Sequence, residues 1–257
     1  VIAYGGGSVD PDRWAVLENL VFLRSVPSSN ALGRDLIELY FEEDQALRTT
    51  VLVAESQPEA YGRSGRAWVA PEGRGLYLTI LRPVAEGEPL SLVPIAAARW
   101  TREVLREATG VAVELKWPND LYCGRRKLAG IIAESRTQGD ATYVALGIGI
   151  NVAGKAADLA VENAATLEDE AGRPVDRAPI LQALLDRFDR ELAAPRWSEE
   201  VREWELASLH RPGDRLTIRR NGEEVTGQYL GLDPSGFLRL RTESGEAIVS
   251  SGEVAGW

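Results

Sequence analysis

Three segments of the chain bring together residue types suited to handling phosphate. The first is Gly62-Arg63-Ser64-Gly65-Arg66-Ala67-Trp68. Its glycines let backbone amides approach an anion, and its arginines offer charge-assisted, often bidentate hydrogen bonds to phosphate or carboxylate. It is not a P-loop, because no Gly-Lys-Ser/Thr follows at the required spacing. The second is Lys116-Trp117-Pro118-Asn119-Asp120, with Lys127-Leu128-Ala129-Gly130-Ile131-Ile132 shortly after it. If the two form a hairpin, both lysines come close together. Adjacent ammoniums repel, so such a pair makes sense when an anion lies between them. The third, Gly147-Ile148-Gly149-Ile150-Asn151-Val152, reads as a buried strand whose glycines permit close approach of a ligand or of backbone. Each has a plainer reading: a solvated loop, two surface lysines on neighbouring strands, and ordinary core.

The elements that must position these segments follow from periodicity and punctuation. A helix is expected from Ser28, capped by Ser28 or Ser29, with Leu32, Leu36, Ile37 and Tyr40 at helical spacing. Residues 50–54 read as a buried strand, 58–67 as a Gly/Arg-rich loop and 75–81 as another strand. A long helix is expected over 89–109, ended by Gly110. Strands follow at 111–116, 121–123, 127–135 and 142–152, with Gly124-Arg125 as a hairpin turn. Residues 153–177 read as a surface loop, and 179–194 and 198–208 as helices. From Arg211 the pattern changes to short strands broken at Asn221-Gly222, Asp233-Pro234-Ser235-Gly236 and Ser244-Gly245, as in a small β-barrel. The expectation is an α+β domain over 1–208 and a small β-barrel domain over 209–257.

Composition narrows the class. With 257 residues and 44% apolar content the chain can bury a real core. No apolar run approaches the roughly 18–20 residues that span a bilayer. A net charge of −10 argues against broad attraction to DNA or anionic lipid, so phosphate binding must be local. The single cysteine, Cys123, rules out an internal disulfide and fits a cytoplasmic location. At a hairpin turn with no histidine nearby to activate it, Cys123 does not read as an acyl-transfer nucleophile. One histidine, His210, leaves no His-based metal site or triad. Of 29 basic residues only Lys116, Lys127 and Lys155 are lysine. Keeping lysine against that bias hints at a need for a compact ammonium.

In this order and spacing the three segments resemble the biotin–protein ligase family, from about Val21 to the end of the chain. The Lys116–Asp120 and Lys127–Ile131 pair is the most specific part. Val26-Pro27-Ser28-Ser29-Asn30 resembles the family's Ser-Thr-Asn segment, Glu55-Ser56-Gln57 the stretch carrying a biotin-recognising glutamine, and residues 62–68 the ligand loop. Residues 71–78 resemble the strand that follows that loop, and residues 231–236 and 251–254 the C-terminal module. One departure stands out. Where the family loop commonly begins Gly-Arg-Gly-Arg, this chain has Ala60, Tyr61, Gly62 and Arg63.

The resemblance implies a class II synthetase-like catalytic domain, with a mixed or antiparallel sheet flanked by helices, and a C-terminal SH3-like β-barrel. It implies that biotin is activated by ATP and Mg²⁺ to biotinyl-5′-AMP and passed to a lysine of a biotin carboxyl carrier protein. By the same resemblance Lys127, Arg63, Lys116 and Asp120 are catalytic. Ser28, Ser29, Asn30, Gln57, Tyr61, Gly62, Arg63, Lys127 and Gly130 are then expected at biotin, and Arg63, Arg66, Trp68, Lys116, Asn119, Lys127 and Asn151 at ATP. Asp120 is the candidate metal ligand. The expected form is monofunctional, since only 27 residues precede Ser28 and a winged helix needs roughly 60; no DNA or membrane partner is expected, and a homodimer is compatible. Two rivals remain: a lipoate or octanoate ligase, whose Arg-Arg-x-Ser-Gly-Gly-Gly segment is absent, and a non-catalytic biotin binder.

Overall fold

A computed structural model describes residues 1–220 and 222–257. The chain opens with a hairpin, β1 (Ile2–Tyr4) and β2 (Gly7–Val9), followed by β3 (Asn19–Leu23), α1 (Ser29–Glu42), β4 (Thr50–Ala54) and β5 (Gly75–Pro83). Next come α2 (Val93–Thr109), β6 (Glu114–Lys116), β7 (Asp120–Cys123), β8 (Arg126–Gln138) and β9 (Ala141–Asn151). Helices α3 (Leu167–Ala171), α4 (Arg177–Ala193) and α5 (Trp197–Leu206) lead into β10 (Arg215–Arg220), β11 (Glu223–Leu232), β12 (Leu238–Thr242), β13 (Gly245–Val249) and β14 (Glu253–Gly256).

A seven-stranded mixed sheet runs in the order β3-β4-β5-β9-β8-β7-β6. Only the β3–β4 pair is parallel. Alternation along β4 sends Val51 and Val53 to one face and Leu52 to the other. On the first face they pack with Ile95 and Trp100 of α2 and Leu184 and Phe188 of α4. On the second, Leu52, Leu81 and Ala145 pack against Ile37 of α1. The buried Arg99–Glu200 pair, at 2.6 Å, ties α2 to α5. Removing Arg99 would strand the Glu200 carboxylate at about 3–5 kcal/mol, whereas Arg99 without Glu200 keeps Glu103 at 2.6 Å.

Local chemistry sets the helix ends. Ser28 Oγ accepts the Ala31 amide at 3.3 Å, so of the two serines expected to cap α1 it is Ser28 that does so. The expected 89–109 helix splits into a 3₁₀ turn, Leu90–Leu92, and then α2, with Pro94 in the first turn and Gly110 at φ 76° ending it. The stretch expected to be all loop, 153–177, holds a 3₁₀ turn (Ala156–Leu159) and α3, capped by Thr166.

The expected C-terminal barrel is not there. The five strands form an open antiparallel sheet in the order β13-β12-β11-β10-β14, with β13 and β14 as its outer strands. Among the described residues β13 pairs only with β12 and β14 only with β10. The start of β14 is engaged by the Gly/Arg-rich loop between β4 and β5. The Gly252 carbonyl and the Glu253 carboxylate accept hydrogen bonds from Arg63 and Arg66, while the Glu253 backbone pairs with Arg219 of β10. The break expected at Asn221-Gly222 falls partly on Asn221, outside the described residues.

Candidate active site

The lysine segments fold as three neighbouring strands. Lys116 stands opposite Asp120 on β6 and β7, and a register shift after Leu121 puts Tyr122 opposite Lys127 on β7 and β8. The Lys127 ammonium lies 2.7 Å from the Asp120 carboxylate. Lys116 is buried, with its Nζ 3.4 Å from the Tyr122 hydroxyl and 3.8 Å from the centre of the Trp257 ring. Burial pulls the Lys116 ammonium down to about 8; Asp120 and Glu253 oppose this, while Lys127 and Arg66 reinforce it. Of the two lysines only Lys127 is paired with a carboxylate, that of Asp120; among the described residues Lys116 has no ion-pair partner.

The Gly/Arg-rich loop folds back on itself. Gly62 N donates to Arg66 O at 2.7 Å and Trp68 N to Ala60 O at 2.8 Å. Its tip is a 3₁₀ turn, Arg63–Gly65, with Gly65 at φ 70°. Arg63 donates to the Gly252 carbonyl at 2.9 Å and to Asn119 Oδ1 at 3.4 Å, and Arg66 to Glu253 at 2.6 Å. Burial lowers the Arg63 pKa, whereas the Glu253 hydrogen bond raises that of Arg66. Against its own burial, Glu253 is held below its ordinary pKa by Arg66 and by the two lysines.

A chain of buried polar groups closes one end of the cavity. Ser29 N donates to Gln57 Oε1 at 2.6 Å, and the Ser29 and Thr79 hydroxyls meet at 2.7 Å. Thr79 donates to Asn30 Oδ1 at 3.1 Å, and Asn30 Nδ2 to Glu134 at 2.6 Å. Tyr61 donates its hydroxyl to the same carboxylate at 2.9 Å, and Arg34 lies 3.4 Å from it. Burial and Glu134 push the Tyr61 phenol up to about 12. The glycines of β9 make this packing possible. A Cβ on Gly147 would lie 2.4 Å from Asn30 Oδ1, and one on Gly149 would lie 2.8 Å from Trp68 Nε1.

Together these groups line a cavity of about 310 Å³ containing Ser28, Ser29, Asn30, Gln57, Tyr61, Gly62, Arg63, Arg66, Trp68, Lys116, Asn119, Asp120, Lys127 and Gly130. Asn151 alone of the expected residues stands outside it. It lines an adjoining space of about 340 Å³, which also borders Trp68, Lys116 and Lys127, and it donates to Ala165 O at 3.1 Å. Asn119 Nδ2 bonds the Ile131 carbonyl. Sequence reasoning missed Thr79, Glu134, Glu253 and Trp257. Glu134 and Thr79 sit on strands with no local mark, and Glu253 and Trp257 arrive from the other end of the chain. Among the described residues no cluster of three His, Cys, Asp or Glu side chains could hold a metal ion by itself.

Comparison with known proteins agrees with this geometry. Residues 24–151 match the model of the biotin/lipoate A/B protein ligase family, and residues 213–255 that of the biotin protein ligase C-terminal domain. The chain belongs to the biotin protein ligases of this family. It is 34% identical to the biotin–[acetyl-CoA-carboxylase] ligase of Paracoccus denitrificans, over 79% of this chain and 88% of that one. It is 30% identical to the bifunctional ligase/repressor BirA of Bacillus subtilis, over 80% of this chain, and spans 65% of that protein's length. The biotin protein ligase of Aquifex aeolicus, solved in complex with biotin and ATP, superposes with a TM-score of 0.72 at 28% identity, over 92% of this chain and 97% of that one.

Proposed function

We propose that this protein joins biotin to ATP, forming biotinyl-5′-adenylate and pyrophosphate, and then transfers the biotinyl group to a lysine of a biotin carboxyl carrier protein. In the first step a biotin carboxylate oxygen attacks the α-phosphorus and the bond to the leaving pyrophosphate breaks. In the second, the carrier amine attacks the anhydride carbonyl, AMP leaves, and the amine gives up its proton. One observation carries the proposal. A single cavity is lined both by the hydrogen-bonded uncharged side chains Ser29, Gln57, Thr79 and Asn30, the last anchored on Glu134, and by the Arg63, Arg66, Lys116 and Lys127 cations. That is what a neutral ureido head, a carboxylate and a nucleotide phosphate together require.

In this reading Ser28, Ser29, Asn30 and Gln57 pair with the ureido head, while Tyr61, Gly62 and Gly130 flank the tail under Trp68. Lys127 and Arg63 meet the carboxylate and α-phosphate, and Lys116 and Arg66 the departing phosphates. Such chemistry asks a protein mainly to gather anions and stabilise developing charge. Asn119 and Asn151 are the proposed nucleotide contacts. Mg²⁺ commonly keeps most of its waters and binds through one or two carboxylates plus phosphates. Asp120 and Glu253, both lining the cavity, suit a metal carried in by ATP. The division into a catalytic part over 1–208 and a β part over 209–257 belongs to the same proposal and is supported by the separate family matches. Biotin is favoured over lipoate by the Lys-Trp-Pro-Asn-Asp segment and by the Paracoccus relative.

The test is to incubate the purified protein with ATP, Mg²⁺, purified carrier domains and biotin, lipoate or octanoate in turn. ATP-dependent biotinylation of a carrier lysine is expected. No labelled product across several biotin carriers, or faster transfer of lipoate, would overturn the reading.

A further inference from the structure

Lys116 is held in an unusual way for a buried cation. Among the described residues it has no carboxylate partner; its Nζ is 3.4 Å from the Tyr122 hydroxyl and 5.0 Å from that ring's centre. It also lies over the face of the Trp257 ring, with the ammonium 3.8 Å from the centroid. The two rings meet edge to face at 6.1 Å, making a corner around the ammonium. On its other side Trp257 meets the buried His210 ring at 5.7 Å. Burial pushes His210 down to about 4, so at neutral pH it adds no competing positive charge.

This arrangement solves a particular problem. A carboxylate beside Lys116 would neutralise it, but it would also repel arriving phosphates and would have to be displaced by them. An aromatic face offsets part of the cost of burying an ammonium through its quadrupole and carries no net negative charge. Lys116 lines both the main cavity and the adjoining space, and Trp257 lines only the second. The contrast with Lys127, paired to Asp120 at 2.7 Å, is direct.

We propose that Trp257 is a positioning residue for the nucleotide: with Tyr122 it forms an aromatic corner that keeps the Lys116 ammonium unpaired and in place for the polyphosphate. The inference rests on the ligase reading, because it assigns Lys116 to the phosphates. Trp257 acts through Lys116 and touches no reacting atom.

The test uses the full chain and two measurements that need no turnover. With three lysines in the sequence, ¹³C-lysine labelling yields three ε-CH₂ signals, assigned with Lys116→Arg and Lys127→Arg. The Lys116 signal should lie upfield of the other two from the Trp257 ring current, and should move back in Trp257→Leu. Binding of α,β-methylene ATP should weaken about 2- to 30-fold in Trp257→Leu and less in Trp257→Phe, which keeps a ring, while biotin binding changes less than about twofold. An unshifted Lys116 signal in the wild type overturns the corner. Equal loss of both ligands, or unchanged nucleotide binding, overturns the positioning role. Should Trp257→Leu fail to fold, the graded comparison of Trp257→Phe with Tyr122→Leu decides. A protein that passes these tests yet biotinylates no carrier would refute the ligase reading alone.

Discussion

Lys127 and Asp120 form an ion pair of 2.7 Å at the edge of the cavity, so the cation assigned to the reacting anions is already neutralised by a side chain. When a carboxylate and a phosphate arrive, Asp120 must yield part of that ammonium or accept a metal in exchange. Lys127→Ala therefore removes a positive charge and leaves a lone carboxylate facing two anions. Pyrophosphate release should fall by about 100-fold or more, with circular dichroism unchanged. Release within about threefold of wild type would remove Lys127 from the mechanism.

Arg63 joins the ligand loop to the start of β14 through the Gly252 carbonyl at 2.9 Å, and the same guanidinium borders the main cavity. Arg63→Gly should loosen the loop and weaken retention of the adenylate. A hydrogen bond to a charged group contributes about 1.5–3 kcal/mol, or about 10- to 100-fold in retention. Synthesis should continue more slowly, since Lys116, Lys127 and Arg66 remain. The expected outcome is escape of biotinyl-adenylate, read as biotin on serum albumin relative to biotin on a carrier domain. A variant that makes adenylate but labels albumin no more than wild type would place retention elsewhere.

Burial depresses Lys116 from 10.5 to about 8, and the sign of the effect on activity follows. Below that value the ammonium is present, and above it the side chain is increasingly neutral. The kcat/KM for ATP, which reports the free enzyme, should hold on the acid side of pH 8 and fall by up to about tenfold per unit above it. An ordinary lysine would show that fall only near 10.5. Bound polyphosphate favours the charged form, so the limb in kcat should lie at higher pH. A kcat/KM profile flat to pH 9.5 would refute the assignment.

What was legible in the sequence was mostly local. The N-cap at Ser28, the C-cap at Gly110 and the hairpin turn at Gly124 depend on a few adjacent residues, and the structure has each of them. The glycines at 147 and 149 were legible as close-approach sites, though not what approaches them. Strands β1 to β3 escaped notice because they are short and carry no clean alternation; β3 is an edge strand of mixed burial. The C-terminal sheet shows a different limit. Turn residues mark where strands stop, but whether the outer strands meet depends on coiling and on contacts far along the chain. The links from Arg63 to Gly252, 189 positions apart, and from Arg66 to Glu253, 187 apart, have no period to betray them.

The scarcity of lysine has a chemical consequence. A protein that makes a mixed anhydride aimed at lysine amines exposes its own side chains to it first. Here the inventory of internal targets is short. Lys116 is buried and Lys127 is held by Asp120, which leaves Lys155, on the surface, as the one freely exposed lysine. A surface clad in arginine, whose guanidinium stays protonated and is a poor nucleophile, gives the reagent little to consume at home.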